Sequence, residues 1–420
     1  MHRQSEWRLF GLALSLVAAF SFFSVLMSPS PSDSQARPSR LAAEIEVKPG
    51  SLLIVEPAVI GDPTRVNDPC KPRVDTLNAW SFAALMQGIA GISDGSEAAT
   101  RAFIKDWLAK FQSDQPVNGD TVPARKIADV LKTWEAANWD LRLVPFQLLA
   151  ILNRIDLLRS PLLAGENAGE VRFVFAAVVA DPEAKTCNTV NFTVNLEYGV
   201  RKSSCAALFD YANKWVSLAS PTPLASQPPA PGSNDYNAIL WPLMDVARLG
   251  AMPSKPNGSA IDHVRTNENL DGSGWQMREF RLKGKLLIED TVTLTPSERL
   301  VDDQTLKDYL NSIAAGLSYS SPDYWIPRTF PGSSGRALLG GFSNAGFDWV
   351  GKGHPPEVAI NTCSGCHGGV NPGSSHVDPK NGPSKFLLES EVPRRAAILK
   401  KLAEKGCSAD LSTMVMRMVH

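Results

Sequence analysis

"TVNFTVNLEYGV", residues Thr189–Val200, decides what kind of fold this chain adopts. Val190, Phe192, Val194, Leu196 and Tyr198 alternate with Asn191, Thr193, Asn195 and Glu197. A two-residue period places successive side chains on opposite faces of a pleated strand, so this stretch predicts a half-exposed antiparallel strand. Working outward, "EVRFVFAAVVA" (Glu170–Ala180) is apolar on both faces and predicts a more central strand. "REFRLKGKLLIED" (Arg278–Asp290) predicts a third, with Phe280, Leu282, Leu286 and Ile288 facing inward. "SPTPLASQPPAPGSNDYN" (Ser220–Asn237) lies between them and reads as loop by composition.

Upstream the period changes. Phe103, Trp107 and Phe111 recur every four residues beside Ile104 and Leu108, predicting one amphipathic helix. Ile127, Val130, Leu131 and Trp134 predict another. "LVPFQLLAILNRIDLL" (Leu143–Leu158) is apolar nearly all round and predicts a helix through the core. The aromatic residues read as packing rather than as a cofactor box. The expected class is α+β: a helical N-terminal part with a small antiparallel sheet, followed by a loop-rich C-terminal segment. Expected boundaries are a leader over 1–36, an α+β domain over 37–350 and a separate segment over 351–420.

With 42 basic and 43 acidic residues, the chain carries no basic field of the size nucleic acid requires, so no nucleic-acid partner is expected. Arg3 and Arg8 precede an uncharged run from Leu9 to Met27, followed by "SPSPSDSQA". A basic start, an apolar stretch and a small-residue site at Ser34 and Ala36 read as a secretory signal. The same run is long enough to be retained as an N-terminal membrane anchor. Either way the mature chain is expected in the periplasm or secreted, where cysteines favour disulfides. Cys70, Cys187, Cys205 and Cys407 are the disulfide candidates. Cys187 and Cys205 bracket the Thr189–Val200 strand and are read as clamping it, with Cys70 left to join Cys407; sequence alone leaves the connectivity open.

The most chemically loaded stretch is "AINTCSGCHGGVNP", Ala359–Pro372. Pro355-Pro356 suits the start of a helix and Gly368-Gly369 its end, which would set Cys363, Cys366 and His367 at offsets of three and four on one face. Two thiols so spaced reach the two vinyl groups of one porphyrin edge, and the adjacent imidazole reaches the iron. Ser364 and Gly365 are small enough to let the macrocycle approach. C-x-x-C-H therefore reads as covalent haem attachment.

"CSGCH" resembles the haem-binding site of c-type cytochromes. The resemblance implies one covalent haem c, with thioethers at Cys363 and Cys366 and proximal iron ligation by His367. It covers at most the last 70 residues, and the proline-bounded helix before the motif is shorter than in a small cytochrome. Gly382-Pro383 is loosely similar to a cytochrome loop whose proline carbonyl orients the proximal histidine. The wider set "GEVRFVFAAV", "TVNFTVNLEYGV", "KPNGSAIDHVRTNE", "WQMREFRL" and "NTCSGCHGG" resembles a family of exported bacterial proteins of uncharacterised function, which implies export and no activity.

His376 or Met414 is the candidate sixth iron ligand, with His263 and His354 ranked below them. A Met/His pair would raise the reduction potential relative to two histidines. Met414 and Met418 also read as a core stripe, because methionine fills irregular gaps. A vacant sixth position would admit a small gas or peroxide.

Three rival readings of the motif stand beside haem. A thiol redox site needs its first cysteine at a helix N-terminus, whereas this motif falls near a C-terminal end. A zinc site would recruit Cys363, Cys366, His376 and Cys407. A plain Cys363–Cys366 disulfide is the simplest. No nucleotide site is expected: in "GFDWVGKG" (Gly346–Gly353), Gly353 stands where a phosphate loop needs Ser or Thr. No catalytic constellation is identifiable, so an enzyme reading would be a haem-dependent oxidoreductase. The expected function is electron transfer with a redox partner protein; the alternative is a disulfide-stabilised extracytoplasmic binding or structural protein without haem.

Overall fold

The computed structural model describes residues from Ile45 to Leu411, apart from several stretches of which the longest are 159–166, 249–258, 309–336 and 340–375. The chain divides into two units, Met1–Ala43 and Glu44–His420, and every described residue lies in the second. Arg3–Met27, Gly346–Gly353, His354, Cys363, Cys366, His367, Met414 and Met418 lie outside the described residues.

The chain opens with β1 (Leu53–Ile54) and the short α1 (Pro57–Ile60). α2 (Phe82–Ala90) and α3 (Glu97–Ala109) follow, then a hairpin of β2 (Gln115–Val117) and β3 (Asp120–Val122), then α4 (Ala128–Ala136). Three long strands come next: β4 (Phe146–Leu158), β5 (Asn167–Asp181) and β6 (Thr186–Arg201). Helices α5 (Cys205–Ser217) and α6 (Asn234–Arg248) precede β7 (Ile261–Glu268), β8 (Trp275–Lys283) and β9 (Leu286–Asp290). The later described elements are β10 (Ala337–Leu339), the two-residue strands β11 (Val377–Asp378) and β12 (Gly382–Pro383), and α7 (Val392–Lys405).

The α+β class holds, but the sheet is not small. Eight strands form one antiparallel sheet in the order β1-β4-β5-β6-β7-β8-β10, with β9 also paired to β8. Nor is the N-terminal part purely helical, since β1 joins the sheet edge and β2–β3 stands among the helices.

The Leu143–Leu158 run is the largest departure from expectation. It forms strand β4 rather than a core helix. Its tail carries the two-residue period: Ile151, Asn153 and Ile155 alternate with Leu152, Arg154 and Asp156, and all six are buried. A strand covered on both faces reads as continuous burial, which mimics a core helix.

β5 is central, as expected, between β4 and β6. β6 is antiparallel as expected, yet its polar face is covered rather than half-exposed, with Thr193 and Glu197 buried. Arg278–Asp290 forms a hairpin, not one strand. Gly284 turns the chain at φ +61°, so Leu287 is buried while Leu286 is 43% exposed, the reverse of the single-strand reading.

One face of the sheet is apolar and packs against α2, α3 and α4. Phe82 stacks on Phe146 at 4.3 Å, and Trp107 meets Phe111, Phe146 and Phe280 at 5.6 to 6.0 Å. Such pairs add to what area burial alone supplies. Ser96 caps α3 by accepting the Ala99 amide.

β5 holds a bulge at Gly169, where φ is +81° and a Cβ would lie 2.1 Å from the Arg154 carbonyl oxygen. Only glycine fits there. Immediately after it, Glu170 pairs with Arg154 across the strands.

Cys70 is bonded to Cys187, with a Cα–Cα distance of 5.5 Å. This replaces the expected Cys187–Cys205 clamp, and with it the Cys70–Cys407 pairing that depended on it. The reason is strand geometry: a strand rises about 3.3 Å per residue, so the two ends of the 16-residue β6 stand some 50 Å apart. Cys205 is also disulfide-bonded, and the helix it opens packs against the Gly406–Ser408 turn.

Candidate functional site

The second face of the sheet carries charge. Strand alternation and register place Arg154 and Asp156 of β4, Glu170 and Arg172 of β5, Glu197 of β6, His263 and Arg265 of β7, and Glu279 of β8 on this one face. Arg172 stands opposite Glu197, Glu197 opposite His263, and Arg265 opposite Glu279. Opposite charges thus meet across neighbouring strands, the arrangement that cross-strand pairing favours. Asp156, Glu170, Glu197 and Glu279 are all 0% exposed.

The pairs form two linked groups. In the first, Arg172 donates to Glu170 at 2.7 and 2.9 Å and lies 3.3 Å from Glu197. Arg265 lies 3.2 Å from Glu197 and donates to Glu279 at 3.0 and 3.1 Å. His263 sits between the two carboxylates, 3.7 Å from Glu197 and 3.4 Å from Glu279, and touches Arg281. In the second group, Asp156 accepts from Arg154 at 2.9 Å and from Arg394 at 3.0 Å, with Arg395 at 3.2 Å. Arg395 also donates to Glu391 at 2.6 Å. Through these contacts α7 is bonded to β4.

Asp156 and Glu391 shift in the opposite direction from Glu197. Burial works against the Asp156 carboxylate, but Arg154, Arg395 and Arg394 outweigh it and hold the group well below the usual carboxylate range. Burial likewise opposes Glu391, and Arg395 with Arg394 brings it down to about 2. At Glu197 burial wins: Arg172 and Arg265 offset it only in part, Glu170 and Glu279 add to it, and the group is pushed up to about 6.

Beside Glu197 is a cavity of about 30 Å³, lined by Arg172, Asn195, Arg265, Asn267 and His376. That is room for one water molecule. His376, a candidate sixth iron ligand, therefore lies over the charged face, with its ring 5.7 Å from that of Phe386. The chain around it is tied down: Thr189 of β6 donates to the Pro379 carbonyl at 3.0 Å, and β11 pairs with β12. His263, the lower-ranked candidate, is a member of the ion-pair lattice and only 1% exposed.

Glu170, Glu197 and His263 offer one donor atom each within 4.8 Å of one another, the size of a metal site. The donor set does not suit a cation. Arg172 already holds both carboxylates and Arg265 holds Glu197, so an added ion would face two guanidinium groups at close range.

A smaller polar cluster ends the opposite face. Arg125 donates to Glu268 at 2.6 Å, Gln276 donates to Glu268 at 3.1 Å, and the Arg278 guanidinium lies 4.7 Å over Phe111. Burial pushes the Glu289 carboxyl up to about 7 despite Arg278 and Lys110.

None of the lattice carboxylates or arginines is a site residue on a sequence reading, where scattered charges look like solvated surface. The available signal is their place within predicted strands, as in Arg172 of "EVRFVF" and Glu197 of "NLEYG". Among the described residues, no helix is long and apolar enough to cross a membrane. Comparison with family models, curated proteins and solved structures gave no match to this chain.

Proposed function

We propose that this chain is an exported monohaem c-type cytochrome-like protein that transfers electrons through a covalently bound haem to a redox partner protein. The observation that carries the reading is the spacing Cys363-Ser364-Gly365-Cys366-His367. Its donor chemistry fits the group: two thiols for thioether bonds and one imidazole for iron. The haem would supply one-electron redox chemistry.

The chain's own residues would bind and orient it. Cys363 and Cys366 would fix the macrocycle edge and His367 its proximal side, with His376 or Met414 as the sixth ligand. The ends of the segment support the reading. The chain enters the 340–375 stretch from β10, paired to β8, and leaves it at His376 over the charged face. One end is thus a strand of the large sheet, and the other lies against its charged face. The cavity beside His376 admits a water and not a porphyrin, so the haem belongs elsewhere than in that cavity. The leader Arg3–Met27 supports a periplasmic or secreted location, cleaved or anchored.

Expression of the full chain with a c-type haem maturation system is expected to yield a protein whose intact mass includes one haem and whose reduced pyridine-haem spectrum is that of a c-type haem. The Cys363→Ala/Cys366→Ala variant is expected to lose both signals while keeping its far-UV spectrum. A colourless, correctly exported and folded protein from the same cells would overturn the reading.

The Cys70–Cys187 disulfide favours a second reading, the disulfide-stabilised extracytoplasmic binding or structural protein without haem. That colourless outcome, with Cys363 and Cys366 found oxidised, would support it.

A further inference from the structure

Away from the charged face, α2, α3 and the tip of the β8–β9 hairpin enclose a cleft of about 590 Å³. Small-molecule sites span roughly 300–1,000 Å³ and are mostly apolar, with a few polar groups that set orientation. The sequence builds the cleft with small residues and two turns. Ala99 and Ala102, three apart on α3, leave space beside buried Phe103. α2 ends at Gly91, whose φ of +67° turns the chain so that Ile92 and Asp94 form one wall. The Gly284 turn brings Lys285 and the exposed Leu286 into the same lining.

The polar groups are few and opposite in sign. Asp106 is held by Lys110 at 3.0 Å. Asp94 accepts the Ser96 amide with one carboxylate oxygen, and it makes no ion pair among the described residues. Lys285 lines the same cleft and likewise has no ion-pair partner among the described residues. The two therefore face one volume without neutralising each other. An anion and a cation from different elements, together with the apolar Ala99, Ala102 and Phe103 in the same lining, complement a molecule with two charged ends and an apolar body. The cleft is too roomy for a single amino acid.

We propose that this cleft binds a short zwitterionic apolar peptide, of two or three residues. Its carboxylate lies against Lys285, its ammonium against Asp94, and its side chains over Ala99, Ala102 and Phe103. The site is independent of haem, and neither reading of the C-terminal segment is needed for it.

Calorimetry on the full chain with leucyl-leucine as probe tests this. Saturable one-to-one binding is expected, weakened roughly tenfold by N-acetylation or C-amidation of the peptide, as loss of one charge-assisted contact implies. Asp94→Asn should weaken leucyl-leucine but leave the acetylated peptide unaffected; Lys285→Met should do the same for the amide. Ala102→Trp, at an exposed helix position, should fill the cleft and abolish binding without lowering Tm. No binding at millimolar peptide would overturn the proposal, as would affinity that survives Ala102→Trp or ignores both end groups.

Discussion

The two faces of the central sheet are built from the same strands and differ by one residue in phase. On one face Ile151, Phe173, Phe175, Val194, Leu196 and Val264 meet the helices; on the other Arg154, Glu170, Arg172, Glu197 and Arg265 meet one another. Both sets are buried. The apolar face gains from removing hydrocarbon from water, which requires no particular partner. The charged face is stable only if every ion finds its counter-ion, since desolvating an unpaired charge costs several kcal/mol. A one-residue slip of β5 against β6 would place Arg172 among Phe82 and Phe146 and Phe173 among carboxylates. The lattice therefore specifies register more strongly than it adds stability.

The contrast can be tested most severely by removing one residue from each face. Phe146→Ala deletes a ring packed on Phe82, Trp107 and Phe192, and large-to-small core changes of this kind cost roughly 3–5 kcal/mol. Asp156→Asn removes the single carboxylate shared by Arg154, Arg394 and Arg395, and breaking a buried pair costs about 3 kcal/mol or more. Denaturant melts at neutral pH would measure both losses. The distinguishing expectation is a rescue. Asp156→Leu combined with Arg154→Met and Arg395→Met should recover much of the loss, because it leaves Arg394 paired with Glu391 at 3.0 Å and replacing the other buried ions with apolar residues is often neutral. No rearrangement of this kind should rescue Phe146→Ala. A triple variant less stable than Asp156→Asn would show that the ions contribute net stability and not register alone.

Much of this architecture is legible in the residues. The alternation in Thr189–Val200 and the strand at Glu170–Ala180 predict two of the three long strands, and the helical periods of Phe103, Trp107 and Phe111 and of Ile127, Val130, Leu131 and Trp134 predict α3 and α4. β4 reads as a helix because Leu, Ala and Gln, all good helix formers, dominate its first half; Arg154 and Asp156, two apart, are the trace of its pleat. The lattice was invisible because no carboxylate in it is near its partners' full set in sequence. Asp156 meets Arg394 across 238 positions, and Glu197 meets Arg172 and Arg265 only through strand pairing. The same applies to Cys70 and Cys187, 117 residues apart. The C-x-x-C-H motif is the converse case, a local pattern whose chemistry is read from spacing alone.

The smallest predicted effect comes from protons on the charged face. Glu197 rises from its ordinary value near 4.5 to about 6, so between those pH values the folded state holds more protons than the unfolded chain. Its contribution is greatest below pH 4.5 and is lost as pH rises to 6, by about 2 kcal/mol. Glu391 runs the other way. With its value lowered from 4.5 to about 2, it stabilises the fold above pH 4.5 and loses that contribution as pH falls to 2. Burial, Arg172, Arg265, Glu170, Glu279 and neighbouring His263 all act on Glu197, so Glu197→Gln should make the decline between pH 4.5 and 6 roughly half as steep while leaving the acid limb in place. Glu289, on the opposite face and raised to about 7, supplies the rest of that decline and continues it to pH 7, a part that only Glu289→Gln removes. Urea melts from pH 3 to 8 on the three proteins would separate these limbs. An unchanged slope between pH 4.5 and 6 in Glu197→Gln would mean that the lattice holds this carboxylate fully ionised, and that its two arginines outweigh burial after all.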